Sequence, residues 1–197
     1  MSPWVRPHNI ELPLTHVAES AQPKRQQGCD TNGKLWLLKA LETVTALEKD
    51  KKHVEPILDA DDEIIQMRQT ARDTLAAINK LKGEKGDLAT GTEILLAFLI
   101  LQTYDESEDA LDLLEETQAA ASRLFALDPT SSSVEDAPVD MILDTLIALL
   151  DKGSSGLRDL ANLVAGLVSS AFTKSSIEHL NAVSSQIAAA LLNREDG

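Results

Sequence analysis

Residues 139–172, VDMILDTLIALLDKGSSGLRDLANLVAGLVSSAF, decide the fold. Val139, Ile142, Leu143, Leu146, Ile147 and Leu150 recur at threes and fours, as do Leu157, Leu160, Ala161, Val164, Leu167 and Val168 beyond Lys152-Gly153-Ser154-Ser155. That spacing gathers each set on one face of an α-helix, because the helix repeats every 3.6 residues. Pro138 suits a first helical turn, where its missing N–H is no loss. Ser154 or Ser155 can cap the second helix. Gly166 inside that helix costs about 1 kcal/mol relative to alanine, which predicts the close approach of another helix there. The stretch holds no histidine, no nucleophile paired with a base and no metal-ligand cluster, so its evident purpose is burial, at about 25 cal/mol per Å² of apolar surface.

Outward from this stretch the same period recurs. Toward the N-terminus, KLWLLKALETVTALEK places Leu35, Leu38, Leu41, Val44 and Leu47 on a first helix. After Pro56, DDEIIQMRQTARDTLAAINKLK aligns Ile64, Met67, Ala71, Leu75, Ile78 and Leu81, with Asp61 and Asp62 at the positive N-terminal end. GEKGDLATG, residues 83–91, interrupts the pattern. The apolar run Ile94–Leu101 fits a buried strand or a buried helix by periodicity alone; its leucines, alanines and helical neighbours favour a central buried helix. Leu111, Leu114, Ala121 and Leu124 or Phe125 form the next stripe, ended by Asp128-Pro129 and Ser131-Ser132-Ser133. A last helix opens at TKSSIEHL, where Ser175 and Glu178 have capping-box spacing, and runs through Leu180, Val183, Ile187 and Leu191. The fold class is therefore all-α: about seven helices in antiparallel succession, the pattern of an armadillo- or HEAT-like α-solenoid. No strict repeat period is present, so a compact helical bundle stays open.

Composition bounds the rest. The chain has 197 residues, 43% of them hydrophobic and only 3% aromatic, so burial rests on Leu, Ile, Val and Ala. Residues 1–33, with Pro3, Pro7, Pro13 and Pro23 among glutamines and glycines, read as a flexible leader; residues 34–193 form the helical domain and 194–197 a tail. MSPWVRPHNIELPL has no uninterrupted apolar run and so no secretory signal, no stretch approaches the ~20 apolar residues of a membrane span, and the lone Cys29 reads as a loop thiol. An intracellular, soluble chain is expected. Of the net charge of −14, residues 1–52 hold 8 Lys and Arg against 6 Asp and Glu, leaving 10 against 26 in residues 53–197. That acidic body repels phosphate backbones and is a poor DNA-binding surface on its own.

No residue qualifies as catalytic, cofactor-binding or metal-ligating, and no cofactor is expected. Asp105, Glu106, Glu108, Asp109, Asp112, Glu115 and Glu116 are the densest carboxylates, but their spacing spreads them along the solvent face of a helix, whereas two-metal catalysis needs them convergent. Asp59 and Asp61 have an alternate spacing found in metal sites, yet precede a helix whose dipole they complement. His8, His16, His53 and His179 are scattered, without Cys or His partners at ligand spacing. GxSxG, P-loop, GxGxxG and HExxH patterns are absent.

Several phrases carry a resemblance. They are L-x-L-Q-x-Y at 99–104, E-D-A-x-x-x-L-E-E at 108–116, V-D-x-x-L-D-x-L-x-x-L-L at 139–150, L-R-x-L at 157–160, and F-T at 172–173. Over roughly residues 34–193 the chain resembles the DNA polymerase V family, also called polymerase phi, related to Myb-binding protein 1A. The resemblance implies an armadillo-like fold and a nuclear, largely nucleolar scaffold in rRNA transcription regulation and ribosome biogenesis. Its implied partners are nuclear proteins of ribosome assembly or transcription, with DNA binding in the full-length family and no membrane. Such relatives extend in both directions, so the chain is expected to be a fragment. The family name also implies DNA-directed DNA polymerase activity, for which the residues carry no catalytic motif. An unrelated helical bundle is the third reading.

Overall fold

A computed structural model describes residues 30–31, 34–55, 61–105, 108–127, 137–152 and 154–182. The elements are α1 (Trp36–Lys49), α2 (Asp62–Gln102), α3 (Glu108–Leu124), α4 (Pro138–Asp151) and α5 (Ser155–Val168), which tightens into a 3₁₀ turn at Ser169–Ala171. Residues 174–182 are again helical and are called α6. Among the described residues there is no strand.

α2 is 41 residues long but does not run straight. Arg68 Nε donates to Thr103 Oγ1 at 2.8 Å although the residues are 35 positions apart. A continuous helix would separate them by about 52 Å at 1.5 Å per residue, so the chain doubles back. It does so at Gly86, whose φ of 39° and ψ of −110° are non-helical and suit only glycine. The interruption expected over residues 83–91 thus narrows to one residue, with helix on both sides. Counting the two arms, residues 62–85 and 87–102, separately gives seven helical segments among the described residues.

The second arm of α2 is the centre of the core. Ile94, Leu95, Leu96, Ala97, Leu99 and Ile100 are each at most 3% exposed and Phe98 and Leu101 are partly buried, so the Ile94–Leu101 run is a central buried helix. α3 and α5 both pack on α2, α3 packs on α4, and α4 packs on α5, which closes a ring of contacts; α1 lies on α2. Inside the ring, a polar pair shared by α3 and α4 is satisfied: the Thr117 and Thr145 hydroxyls are 3.0 Å apart. α3 ends where Ala126 takes a left-handed φ of 52°, with Leu127 N–H bonded to the Ser122 carbonyl at 2.8 Å and Ala126 N–H to the Arg123 carbonyl at 3.1 Å. Lys85, at the tip of the hairpin, donates to the Leu124 carbonyl at 3.1 Å, where a cation complements the helix dipole.

Several local expectations need correction. Among the described residues a Cβ added at Gly166 would meet nothing within 4 Å, so no described helix approaches it; the close approach is at Gly91, where an added Cβ would fall 2.9 Å from both Leu167 Cβ and Val168 Cγ1 of α5. A glycine does mark close helix packing here, but it sits on the other of the two helices. The cap of α6 is Thr173 with Ser176, which exchange side-chain-to-backbone bonds at 3.1 and 3.2 Å, rather than Ser175 with Glu178. Ser154 is the N-cap residue of α5, though its side chain makes no cap bond. Leu47 and Leu150 are 48% and 39% exposed, and Leu149 takes the inward place on α4. The readings of residues 1–29 (Cys29, His8 and His16 among them), Asp59, the Ser131–Ser133 tract, and Val183, Ile187 and Leu191 lie outside the described residues.

Candidate functional site

The main polar constellation of the interior joins α1 to both arms of α2. Glu48, near the end of α1, presents Oε2 to Arg72 Nη2 at 2.7 Å and Oε1 to the Tyr104 hydroxyl at 2.5 Å. Arg72 Nη2 also donates to the Tyr104 oxygen at 2.5 Å, so that oxygen accepts from one side and donates on the other. Arg68 is 7% exposed; it donates to the Thr103 hydroxyl and, at 2.6 Å, to the Thr103 carbonyl, while its guanidinium stacks 3.9 Å from the centre of the Tyr104 ring. Stacking and forked donation are what a planar guanidinium does and an ammonium does not. Burial, and then the bond to Glu48, push the Tyr104 phenol up to about 12, against the opposing pull of Arg72 and Arg68. The hydroxyl therefore stays protonated at neutral pH and donates to Glu48. This clamp holds the open end of the α2 hairpin shut.

A second set of polar contacts docks α6 on α4. Ser176 is fully buried and its hydroxyl donates to Asp140, while His179 Nε2 lies 2.6 Å from Asp144 Oδ1. Asp140 and Asp144 are one helical turn apart, as are Ser176 and His179, so the two helices meet along matching rows.

The acidic residues singled out by their density do not converge. Asp105, Asp109, Asp112, Glu115 and Glu116 are all exposed, and Lys152 reaches Asp109 at 3.4 Å. Glu106 and the Glu108 side chain lie outside the described residues. Asp61 is exposed at the start of α2, and His53 pairs with its neighbour Asp50 at 3.0 Å. Among the described residues no group of three or more His, Cys, Asp or Glu is placed to hold a metal, and no helix is long and apolar enough to cross a membrane.

With this architecture in view, comparison with known families is decisive, because the DNA polymerase phi model matches residues 10–186. The chain belongs to the DNA polymerase phi family. It is similar to the rDNA transcriptional regulator pol5 of Schizosaccharomyces pombe, 23% identical over 169 residues, and to the Myb-binding protein 1A-like protein of Danio rerio, 21% identical over 160 residues. The matches cover 83% and 80% of this chain but only 18% and 13% of those relatives. No solved structure matches.

The polymerase phi phrases can be placed on the fold. Tyr104 of L-x-L-Q-x-Y is the hub of the clamp; Asp140 and Asp144 of V-D-x-x-L-D hold α6; Thr173 of F-T caps α6. Sequence reasoning does not single out Glu48, Arg68 or Arg72. One signal is present: Arg68 falls between Met67 and Ala71 on the stripe that faces inward, and a charge on such a stripe asks for a partner.

Proposed function

We propose that this polymerase phi chain is a nuclear and nucleolar helical scaffold that acts in the regulation of rDNA transcription, and through it in ribosome biogenesis, by contacts with other proteins. The observation that carries this reading is the use of the family phrases. Their polar residues, Tyr104, Asp140, Asp144 and Thr173, make helix-to-helix or capping bonds, which suits a surface held in shape for partners. The names of the two relatives, an rDNA transcriptional regulator and a Myb-binding-like protein, support the cellular setting and the protein partners. Residues 34–193 serve as the helical domain in this reading, between a leader at 1–33 and a tail at 194–197. Its successive helix pairs are the material of an armadillo- or HEAT-like array, in which the α2–α5 contact adds a closure of its own. The acidic body disfavours direct contact with DNA, so DNA binding falls to partners or to other segments of a full-length relative. The polymerase alternative is not favoured, because exposed carboxylates strung along α3 do not make a two-metal centre.

The test is to deplete the protein and measure pulse-labelled pre-rRNA, alongside nucleotide incorporation by the purified chain on a primed template. A fall in pre-rRNA synthesis, restored by the wild-type gene and not by one encoding Leu146→Asp, is expected, with no incorporation in vitro. Template-dependent incorporation abolished by neutralising the α3 carboxylates would overturn the scaffold reading.

A further inference from the structure

The outer face of α1 is apolar. Trp36, Ala40, Thr43 and Leu47 are spaced four, three and four residues apart and are all exposed, Trp36 by 58% and Leu47 by 48%. None of the four is charged, and the spacing is that of a helix-packing seam about 17 Å long. α1 meets α2 through its other side, where Leu37, Leu38 and Leu41 join the core. Single exposed apolar residues are ordinary. A seam continuous over three turns, headed by one of the chain's two tryptophans, is a surface that something covers.

The structure also fixes where the preceding chain arrives. Asp30, the first described residue, accepts from the Lys34 N–H at 2.9 Å and pairs with the Lys39 ammonium at 2.6 Å, and its carboxylate is only 6% exposed. The same ammonium lies 4.9 Å from the centre of the Trp36 ring. The chain therefore reaches α1 at the rim of the seam, one side chain away from Trp36. Residues 1–29 precede that point and carry Ile10, Leu12, Leu14 and Val17 within eight positions. The polymerase phi match begins at residue 10, so these four lie inside the matched region. The 15 residues between Leu14 and Asp30 reach at most about 50 Å, three times the length of the seam. A segment so tethered meets α1 at an effective concentration in the millimolar range, which a free partner or a second copy has to outcompete. Residues 1–29 hold 3 Lys and Arg against 2 Asp and Glu, so the acidic body does not repel them.

We propose that residues 10–17 dock on the outer face of α1 and cap the seam of Trp36, Ala40, Thr43 and Leu47, as the terminal units of helical arrays need their outer faces capped. The cap is a property of the chain itself and stands or falls apart from any role in rDNA transcription.

The experiment is acrylamide quenching of tryptophan fluorescence on the full chain carrying Trp4→Phe, so that Trp36 alone is read. Adding Ile10→Asp, Leu12→Asp and Leu14→Asp together should raise the Stern–Volmer constant about twofold and shift the emission to the red, because a carboxylate is costly to bury against the seam. Thr15→Asp, Ser20→Asp and Gln22→Asp together add the same charge at polar positions and should change the constant by less than about a fifth. The protection of Trp36 in the parent chain should not vary with protein concentration. Equal quenching in the parent and the Ile10-Leu12-Leu14 variant overturns the cap, as do equal increases in both triple variants. A loss of far-UV circular dichroism in the Ile10-Leu12-Leu14 variant would make those residues part of the core and overturns a surface cap. Protection that grows with concentration, in step with a dimer in sedimentation velocity, assigns the seam to a second copy and overturns it as well.

Discussion

Gly91→Ala should destabilise the fold while Gly166→Ala stabilises it, although both glycines are internal to helices. In each case alanine brings about 1 kcal/mol of helix propensity. At Gly166 nothing among the described residues lies within 4 Å of the methyl group, so most of that gain should appear as increased stability. At Gly91 the methyl would sit 2.9 Å from Leu167 Cβ and Val168 Cγ1 and 3.4 Å from the Val164 carbonyl oxygen. Neither close atom is the end of a flexible side chain: one is the root of a leucine, the other belongs to a β-branched residue with a single favoured helical rotamer. Relief to ordinary contact of about 3.5 Å needs a shift of roughly 0.6 Å between the second arm of α2 and α5. Overpacking of this kind costs about 1–3 kcal/mol, so after the propensity gain of about 1 kcal/mol a net loss of up to about 2 kcal/mol is expected. The two variants should therefore differ by the overpacking cost, about 1–3 kcal/mol, in urea unfolding followed by far-UV circular dichroism, with Gly91→Ala the weaker. Equal stabilisation by both substitutions would refute the packing of α5 on α2 at Gly91.

Other expectations follow from single residues. Gly86→Ala should cost about 1–2 kcal/mol in the same assay, because φ of 39° with ψ of −110° is closed to a side chain, while Ala126→Gly, at the left-handed end of α3, should gain about 1 kcal/mol. Tyr104 is the only tyrosine, so phenolate absorbance reports it alone: ionisation should be displaced from about 10 in denaturant toward 12 in the native protein. Since the folded value is the higher one, its contribution to stability is complete below pH 10 and is lost as pH rises from 10 to 12, a loss that Tyr104→Phe should abolish in alkaline unfolding curves. Leu146→Asp puts a carboxylate where the side chain is 3% exposed and should cost several kcal/mol in urea unfolding, as a buried unpaired charge does, or prevent folding; a near-wild-type midpoint would contradict the inward face of α4.

Helix existence and inward faces were legible because both are local. A period of 3.6 in leucines and isoleucines is written in consecutive residues, and Ala71, Ile78, Leu114, Ile142, Leu146 and Val164 are buried where that period puts them. The polymerase phi phrases were legible for the same reason, being short runs. What those phrases do was not: Tyr104 gives no sign in sequence of the Glu48, Arg68 and Arg72 that surround it from 32 to 56 positions away.

By itself, then, the chain's sequence determined seven helical segments, their apolar stripes and an acidic body, since each depends on neighbours along the chain. The tertiary structure alone decided that α2 reverses at Gly86, that Gly91 and not Gly166 is the glycine pressed by another described helix, that Thr173 caps α6, and that Glu48 joins Arg72 and Tyr104. The physical reason is common to all four. A glycine, a cap or a carboxylate has several local uses of nearly equal energy, and which one is taken depends on atoms that only the packing of distant helices brings within a few ångströms.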